Sequence, residues 1–344
     1  MPDNRVCGFE FYPGELFIEI FGTKKYLTIV MVKVSVAMIT YNHEQFITEA
    51  VSSVLNQETD FEYEIVIGDD CSTDGTRNLL LELQEKYPEK IKLHQRSENL
   101  GMLRNFASVL SDCQGTYIAL LEGDDYWTDT KKLQKQVDYL DSHPGCAISF
   151  HDVMKLRDNG IFEPWTPAIE KKESYSIEDL FAGNFIPTCS VVFRAGLFEE
   201  FPDWYYKAAL GDWTLHVLNA QHGDIGYLDD IMGVYRIHSG GTWSSRKNVQ
   251  NIKDMIEAAE LMKSSLNPEH ILLLENSISK LERTLCQQLL TNGNFGPAIK
   301  FAFQVVKKNP HLKAAEYWLW IKSFARGCGH WLLSSLDRKK LVLL

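Results

Sequence analysis

Residues 117–127 read Tyr-Ile-Ala-Leu-Leu-Glu-Gly-Asp-Asp-Tyr-Trp. An unbroken apolar run, Tyr117 to Leu121, gives way to three carboxylates within four positions: Glu122, Asp124 and Asp125. A short continuous apolar run that ends in a charged turn reads as a strand buried on both faces. Carboxylates crowded at its mouth repel each other unless something positive sits among them. Hard oxygen donors of this kind suit Mg²⁺ or Mn²⁺, which bind through one or two carboxylates together with substrate phosphates. The competing reading is a solvated turn that caps the next helix.

Working outward, strands alternate with helices. Val34–Ile39 is a β-branched run, followed by a turn, Thr40-Tyr41-Asn42-His43. Phe46, Ile47, Ala50, Val51, Val54 and Leu55 have helical spacing. Tyr63–Ile67 predicts a second strand ending in Gly68-Asp69-Asp70, and Thr76–Tyr87 a helix stopped by Pro88. Ile91–His94 predicts a strand and Leu103–Leu110 a helix before the strand at 117. Such alternation implies an α/β fold, a mostly parallel sheet flanked by helices, whose ligands bind beyond the carboxyl ends of the strands. By that rule Tyr41, Asp69, Asp70, Glu122, Asp124 and Asp125 converge on one crevice. Asp69 and Asp70 can accept a hydrogen bond from a pyrimidine imide or a ribose hydroxyl. Asp74 is expected to cap the helix at 76.

Beyond 128 the pattern loosens. Lys131–Ser142 and Asp212–Ala220 predict helices, Ala147–His151 and Ser190–Phe193 strands, and Gly226–Arg236 strand and loop. From 248 the chain reads as helices, at 248–265, 268–291, 296–308 and 312–335. The run Gly293–Ile299 followed by Asn309-Pro310 resembles half of a tetratricopeptide-type hairpin, a unit that needs several copies to be stable. The end segment, with Trp318, Trp320, Phe324 and Trp331 among basic residues, suits a helix resting on a membrane surface or an ordinary packed helix. We expect an N-terminal extension at 1–32, a catalytic α/β domain at 33–245 and a helical module at 246–344. Residues 1–30 lack the basic start and apolar core of a signal peptide, so an extension or an over-extended start is expected.

Composition narrows the function. With 45% hydrophobic and 24% charged residues the chain has a globular balance, and its net charge of -11 argues against binding nucleic acid by charge. Seven scattered cysteines without a CxxC pair read as buried thiols in a reducing compartment rather than a zinc site. No uninterrupted apolar stretch is long enough to span a bilayer.

In order along the chain stand Thr40-Tyr41-Asn42, then Asp69-Asp70 with Ser72 and Asp74-Gly75-Thr76, then Asn99-Leu100-Gly101 with Arg104-Asn105, then Glu122-Gly-Asp-Asp. This set resembles the inverting family 2 glycosyltransferases of GT-A fold, over about residues 33–243. The resemblance implies a nucleotide-diphosphate sugar donor, a Mn²⁺ or Mg²⁺ cofactor, and a glycan or lipid-linked acceptor. It implies that Tyr41 lies against the base or ribose, that Asp70 with Asp69 nearby holds base and ribose, that Thr40 belongs to the same donor site, and that Arg104 sits near the nucleotide. Asp124 matches the last acid of the family's metal-binding DXD pattern. Glu122, standing where that pattern has Asp, reaches the metal directly or through water, and Asp125 lies beside the donor. Gly211-Asp212-Trp213 resembles the family's later acidic motif, which makes Asp212 the expected general base. Tyr235–Ser244 resembles its final loop, which implies His238 as a metal ligand or a contact to the diphosphate, and Arg236 as a phosphate contact. Thr188 and Ser190 are expected near the acceptor.

Uridine is the expected base, with thymidine sharing the same hydrogen-bonding edge. By analogy with bacterial relatives, the expected setting is cytoplasmic, soluble or peripheral on the inner face of the cell membrane. Pairing of two chains through the helical tail stays open. The competing function is a catalytically decayed sugar-nucleotide sensor or scaffold on the same fold. A nucleotidyltransferase would need a glycine-rich basic loop after the first strand, where this chain has Thr-Tyr-Asn-His-Glu.

Overall fold

A computed structural model describes residues 9–12, 15–20, 23–28, 31–165, 170–241 and 248–308. The expected helix at 312–335 and the loop residues 242–244 lie outside the described residues. The chain divides into two compact units. The first takes residues 1–154, 187–197 and 228–235, and the second takes 155–186, 198–227 and 236–344.

The first unit carries the alternating pattern. Its elements are β1 (Val34–Thr40), α1 (Ile47–Leu55), β2 (Tyr63–Asp69), α2 (Thr76–Lys86), β3 (Ile91–Gln95), α3 (Met102–Ser111), β4 (Tyr117–Leu120), β5 (Tyr126–Trp127), α4 (Lys132–Ser142) and most of β6 (Cys146–Arg157). Strand β7 (Val192–Arg194) belongs to it as well. Strands β2, β1 and β4 are parallel neighbours, with β3 parallel outside β2. Strand β7 runs antiparallel between β4 and β6. The sheet is buried because both faces are covered: Val34, Val36, Ile65, Ile67 and Leu120 are wholly inaccessible, as are Val51, Val54 and Leu80 of the covering helices. That is why these strands read as continuous apolar runs rather than alternating ones. Ahead of the sheet, Phe9–Tyr12, Glu15–Ile20 and Thr23–Thr28 form a three-stranded antiparallel sheet.

The second unit holds a short helix at Ile177–Phe181, α5 (Gly211–Ala220), the outer part of β8 (Asp224–Ile237), and α6 (Asn248–Met262), α7 (Pro268–Thr291) and α8 (Phe295–Lys308). Asn267 caps α7 by accepting the His270 N–H at 2.8 Å, with Pro268 in the first turn. Ile252 of α6, Leu285, Cys286, Leu289 and Leu290 of α7, and Ala298 and Val305 of α8 share one apolar cluster. No described helix is long and apolar enough to cross a membrane.

Candidate active site

The parallel register brings the motifs together within the first unit. Thr40, at the end of β1, stands beside Asp69, at the end of β2. Strand β4 continues alongside β1: Leu121 N donates to Ala37 O at 3.2 Å and Gly123 N to Ile39 O at 3.0 Å. Gly123 is thereby pressed onto the first turn. A Cβ there would lie 2.6 Å from Thr40 Oγ1 and 3.0 Å from His43 Nδ1, so only glycine fits between the acids. Gly123→Ala is expected to destabilise the protein by ~1–3 kcal/mol through overpacking and to weaken nucleotide binding. Calorimetric melting checks this, and an unchanged transition temperature would refute the close approach.

Beside Gly123, Asp124 Oδ2 lies 3.8 Å from His43 Nε2, and His43 Nδ1 is 3.2 Å from Thr40 Oγ1. His43 is therefore a neighbour of the DXD acid that sequence reasoning did not select. Its only signal was its place two residues beyond Tyr41 in the same turn. Tyr41 is 44% exposed, with its ring available to a ligand. Glu122 and Asp124 are half-buried, whereas Asp125 is almost wholly buried.

A lattice of bonds fixes the turn after β1 to the turn after β2. Asn42 N donates to Ser72 Oγ at 2.9 Å, and Thr73 N donates to Asn42 Oδ1 at 2.8 Å. His43 N donates to Thr76 Oγ1 at 2.9 Å. Asn42 and Cys71 both take positive φ, 57° and 64°, a conformation these side chains adopt at a cost and that the lattice holds in place. Asp74 accepts the Thr76 N–H at 3.0 Å, but the N-cap of α2 is Gly75, so Asp74 acts from one position before the cap expected of it. Burial pushes the Asp74 carboxyl up, but hydrogen bonds from Thr76 and Glu44 outweigh it and lower its pKa.

The two acids after β2 have structural partners. Asp70 accepts Leu100 N at 2.7 Å on Oδ1 and Gly101 N at 3.0 Å on Oδ2, so it anchors the loop before α3. A carboxylate offers about four acceptor positions, which leaves a ligand contact feasible. Asp69 is wholly buried; its Oδ1 accepts Ser72 N at 3.2 Å and its Oδ2 lies 3.5 Å from Arg77 Nε. Asn105 is buried too, donating to Gly68 O at 2.8 Å, while Arg104 is exposed in the first turn of α3. In the same unit Ser190 is wholly buried and its hydroxyl donates to Pro187 O at 2.7 Å. That corrects the expectation of an acceptor contact at Ser190. Thr188 is 9% exposed.

Asp212, Arg236 and His238 belong to the second unit. Asp212 sits in the first turn of α5, half-buried, with Oδ2 accepting from Asn184 Nδ2 at 2.7 Å and Oδ1 from Trp213 N at 2.7 Å. Arg236 is 9% exposed and His238 is half-buried. Among the described residues no three His, Cys, Asp or Glu side chains cluster to hold a metal by themselves. Of the described cysteines Cys146, Cys189 and Cys286 are buried, and Cys113 is pushed up to about 12, chiefly by burial.

Comparison with known proteins bears on the family and the fold. A family profile described as glycosyl transferase family 2 matches residues 35–201. TuaG of Bacillus subtilis, which carries the name of a teichuronic acid biosynthesis glycosyltransferase, is 30% identical over 239 residues, 67% of this chain and 91% of TuaG. An uncharacterized protein of Mycobacterium tuberculosis H37Rv is 41% identical over 211 residues, 61% of this chain but only 60% of that protein's length. The Staphylococcus aureus TarS structure in complex with UDP-GlcNAc shares the fold, with TM-score 0.55 and 22% identity over 85% of this chain and 79% of that one. The chain belongs to glycosyl transferase family 2, and its α/β architecture is the GT-A fold.

Proposed function

We propose that this chain is an inverting glycosyltransferase that moves a sugar from a nucleotide-diphosphate donor to a hydroxyl of a glycan or lipid-linked acceptor. The observation that carries the proposal is the meeting of Thr40 and Tyr41, the Asp69–Asp70 turn and Glu122–Asp124 at the carboxyl ends of adjacent parallel strands. The UDP-GlcNAc complex of the TarS neighbour supports a UDP-sugar as donor, with a dTDP-sugar sharing the same base edge, and the name of TuaG supports a teichuronic-acid-type polymer as acceptor.

A divalent cation fits this site as a partner of few protein ligands. Asp124 would hold it with a half-buried carboxylate at a strand end, water and the donor's phosphates being the kind of oxygen such a cation also takes. Such a cation, Mn²⁺ or Mg²⁺, neutralises charge on the departing diphosphate. His238 is the second proposed metal ligand and Arg236 a phosphate contact, both on the motif resemblance. Glu122 and Asp125 complete the acidic edge beside the donor. Tyr41 stacks on the base or ribose, and Asp70 and Arg104 border the same nucleotide.

The chain's own part in the chemistry is a proton transfer. Asp212, as general base, takes the proton of the acceptor hydroxyl while that oxygen attacks the anomeric carbon opposite the leaving diphosphate. One displacement inverts the anomeric configuration without a covalent enzyme intermediate.

Calorimetry with UDP, dTDP, GDP and CDP, each with Mn²⁺ and with chelator, tests the reading. One uracil or thymine nucleotide is expected to bind, only with metal, and Asp124→Ala is expected to abolish the metal-dependent part. Failure of every nucleotide to bind would favour the scaffold reading. Affinity indifferent to chelator and to Asp124→Ala would reduce the acidic cluster to a turn.

A further inference from the structure

The strongest unassigned feature of the second unit is the side chain that meets Asp212. Asn184 Nδ2 donates to Asp212 Oδ2 at 2.7 Å, while Asn184 Oδ1 accepts Ile186 N at 3.1 Å. An amide's oxygen and nitrogen are told apart by their partners. Here a backbone N–H fixes the oxygen, so the NH₂ group faces the carboxylate. A neutral donor on an ionised acceptor makes a short, strong bond, as the distance indicates.

The loop that carries Asn184 is built to aim it. Ser176 and Asp179 form a capping box on the helix Ile177–Phe181, with Ser176 N donating to Asp179 Oδ2 at 3.0 Å. The helix closes with Gly183 N donating to Leu180 O at 3.0 Å. Gly183 takes φ of 138°, which turns the chain sharply just before Asn184 and excludes other residues there. The same Leu180 carbonyl accepts Trp213 Nε1 at 2.8 Å. One oxygen thus ties the Asn184 loop to the residue that follows Asp212. Nearby, Tyr205 is wholly buried, and its hydroxyl is raised first by burial and then by the charge of Asp212. The carboxylate therefore borders a dry wall, where a fixed donor matters more than in water.

We propose that Asn184 is the positioning residue of Asp212: its amide keeps the carboxylate ionised and fixes the orientation in which it receives the acceptor's proton. This rests on the reading of Asp212 as general base. Oδ1 is held by Trp213 N and Oδ2 by Asn184, so both oxygens of the carboxylate are fixed in direction.

Two substitutions separate this role from loop maintenance. Asn184→Asp keeps an oxygen for Ile186 N but replaces the donor with a second carboxylate. Asn184→Ala removes both bonds. Carboxylate ¹³C titration by NMR, with the Asp212 signal identified by its loss in Asp212→Asn, reads the effect without substrate. The Asp212 midpoint is expected to rise by about one unit in Asn184→Ala and further in Asn184→Asp, where two acids titrate as a pair. With UDP-GlcNAc and other UDP- and dTDP-sugars as probes, kcat for the best donor is expected to fall by about tenfold or more at neutral pH. The acidic limb of kcat/KM should move up with the midpoint, and the Kd for UDP with Mn²⁺ should stay unchanged. An unmoved midpoint and wild-type kcat in folded Asn184→Asp would overturn the proposal. A moved midpoint with full turnover in Asp212→Asn would overturn the base reading, and with it the catalytic role given to Asn184.

Discussion

Asp212→Asn is expected to lower sugar transfer by about 10²–10⁴-fold, the usual worth of a positioned general base, with nucleotide affinity nearly intact. The asymmetry follows from where the residue acts. In the proposed reaction Asp212 takes the acceptor's proton, whereas the donor's nucleotide is assigned to residues at the ends of β1, β2 and β4. The substitution is also expected to cost stability. Both oxygens of Asp212 accept N–H groups, from Asn184 and Trp213, and an asparagine there must turn its own NH₂ toward one of those donors. An unsatisfied or opposed donor at a half-buried site costs ~1–3 kcal/mol. Activity is therefore compared well below the lowered melting temperature. Single-turnover transfer and UDP calorimetry on the same preparation check the prediction. Lost UDP affinity with normal turnover of bound donor would sink the base assignment.

The parallel core was legible because its signals are local. Continuous apolar runs place β1, β2 and β4, and the Asn267-Pro268 start gives α7 the bounds expected for it, Pro268–Thr291. Strands β6 and β8 run to 12 and 14 residues, longer than expected. The added residues of β6, among them Asp152, Lys155 and Arg157, pair with the strand Phe162–Pro164 that follows at once, and Asp224, Asp229 and Asp230 interrupt β8 with charge, so neither a run nor an alternation announces these lengths. Side-chain roles were legible only as far as a motif isolates a residue. Asp70 looked free to meet a base, yet it anchors Leu100 and Gly101, which lie thirty residues along the chain in another loop. His43 and Asn184 escaped for the same reason: what makes each notable is a carboxylate brought to it by folding.

Acidification between pH 6.5 and 4 is expected to unfold the protein well before its carboxylates are protonated. His151 and His216 are wholly buried, and burial lowers each to about 3, with the Lys132 amine adding to the effect at His151. Around His151 also stand Asp129 and Lys135; for His216 burial is the sole cause. In the unfolded chain both imidazoles take up protons near 6.5. The folded-state pKa values are depressed, so below 6.5 the unfolded state binds more protons and stability falls as pH falls. Each group contributes a slope of ~1.4 kcal/mol per pH unit. Two together remove ~5 kcal/mol between pH 6 and 4, comparable with the whole stability of a marginal domain. Asp74, Asp129 and Asp141 are held below the usual carboxylate range, chiefly by hydrogen bonds, so their stabilisation is lost only under more acid conditions. His151 lies in the first unit and His216 in the second, so each unit carries its own acid liability. Urea unfolding from pH 7 to 4.5, followed by fluorescence, measures the slope. His216→Leu is expected to flatten the acid dependence of the transition that reports on α5 and to leave the His151 contribution in place. A midpoint that stays constant from pH 6.5 to 4.5 would mean that these imidazoles take up protons in the folded state, through solvent entering the interior.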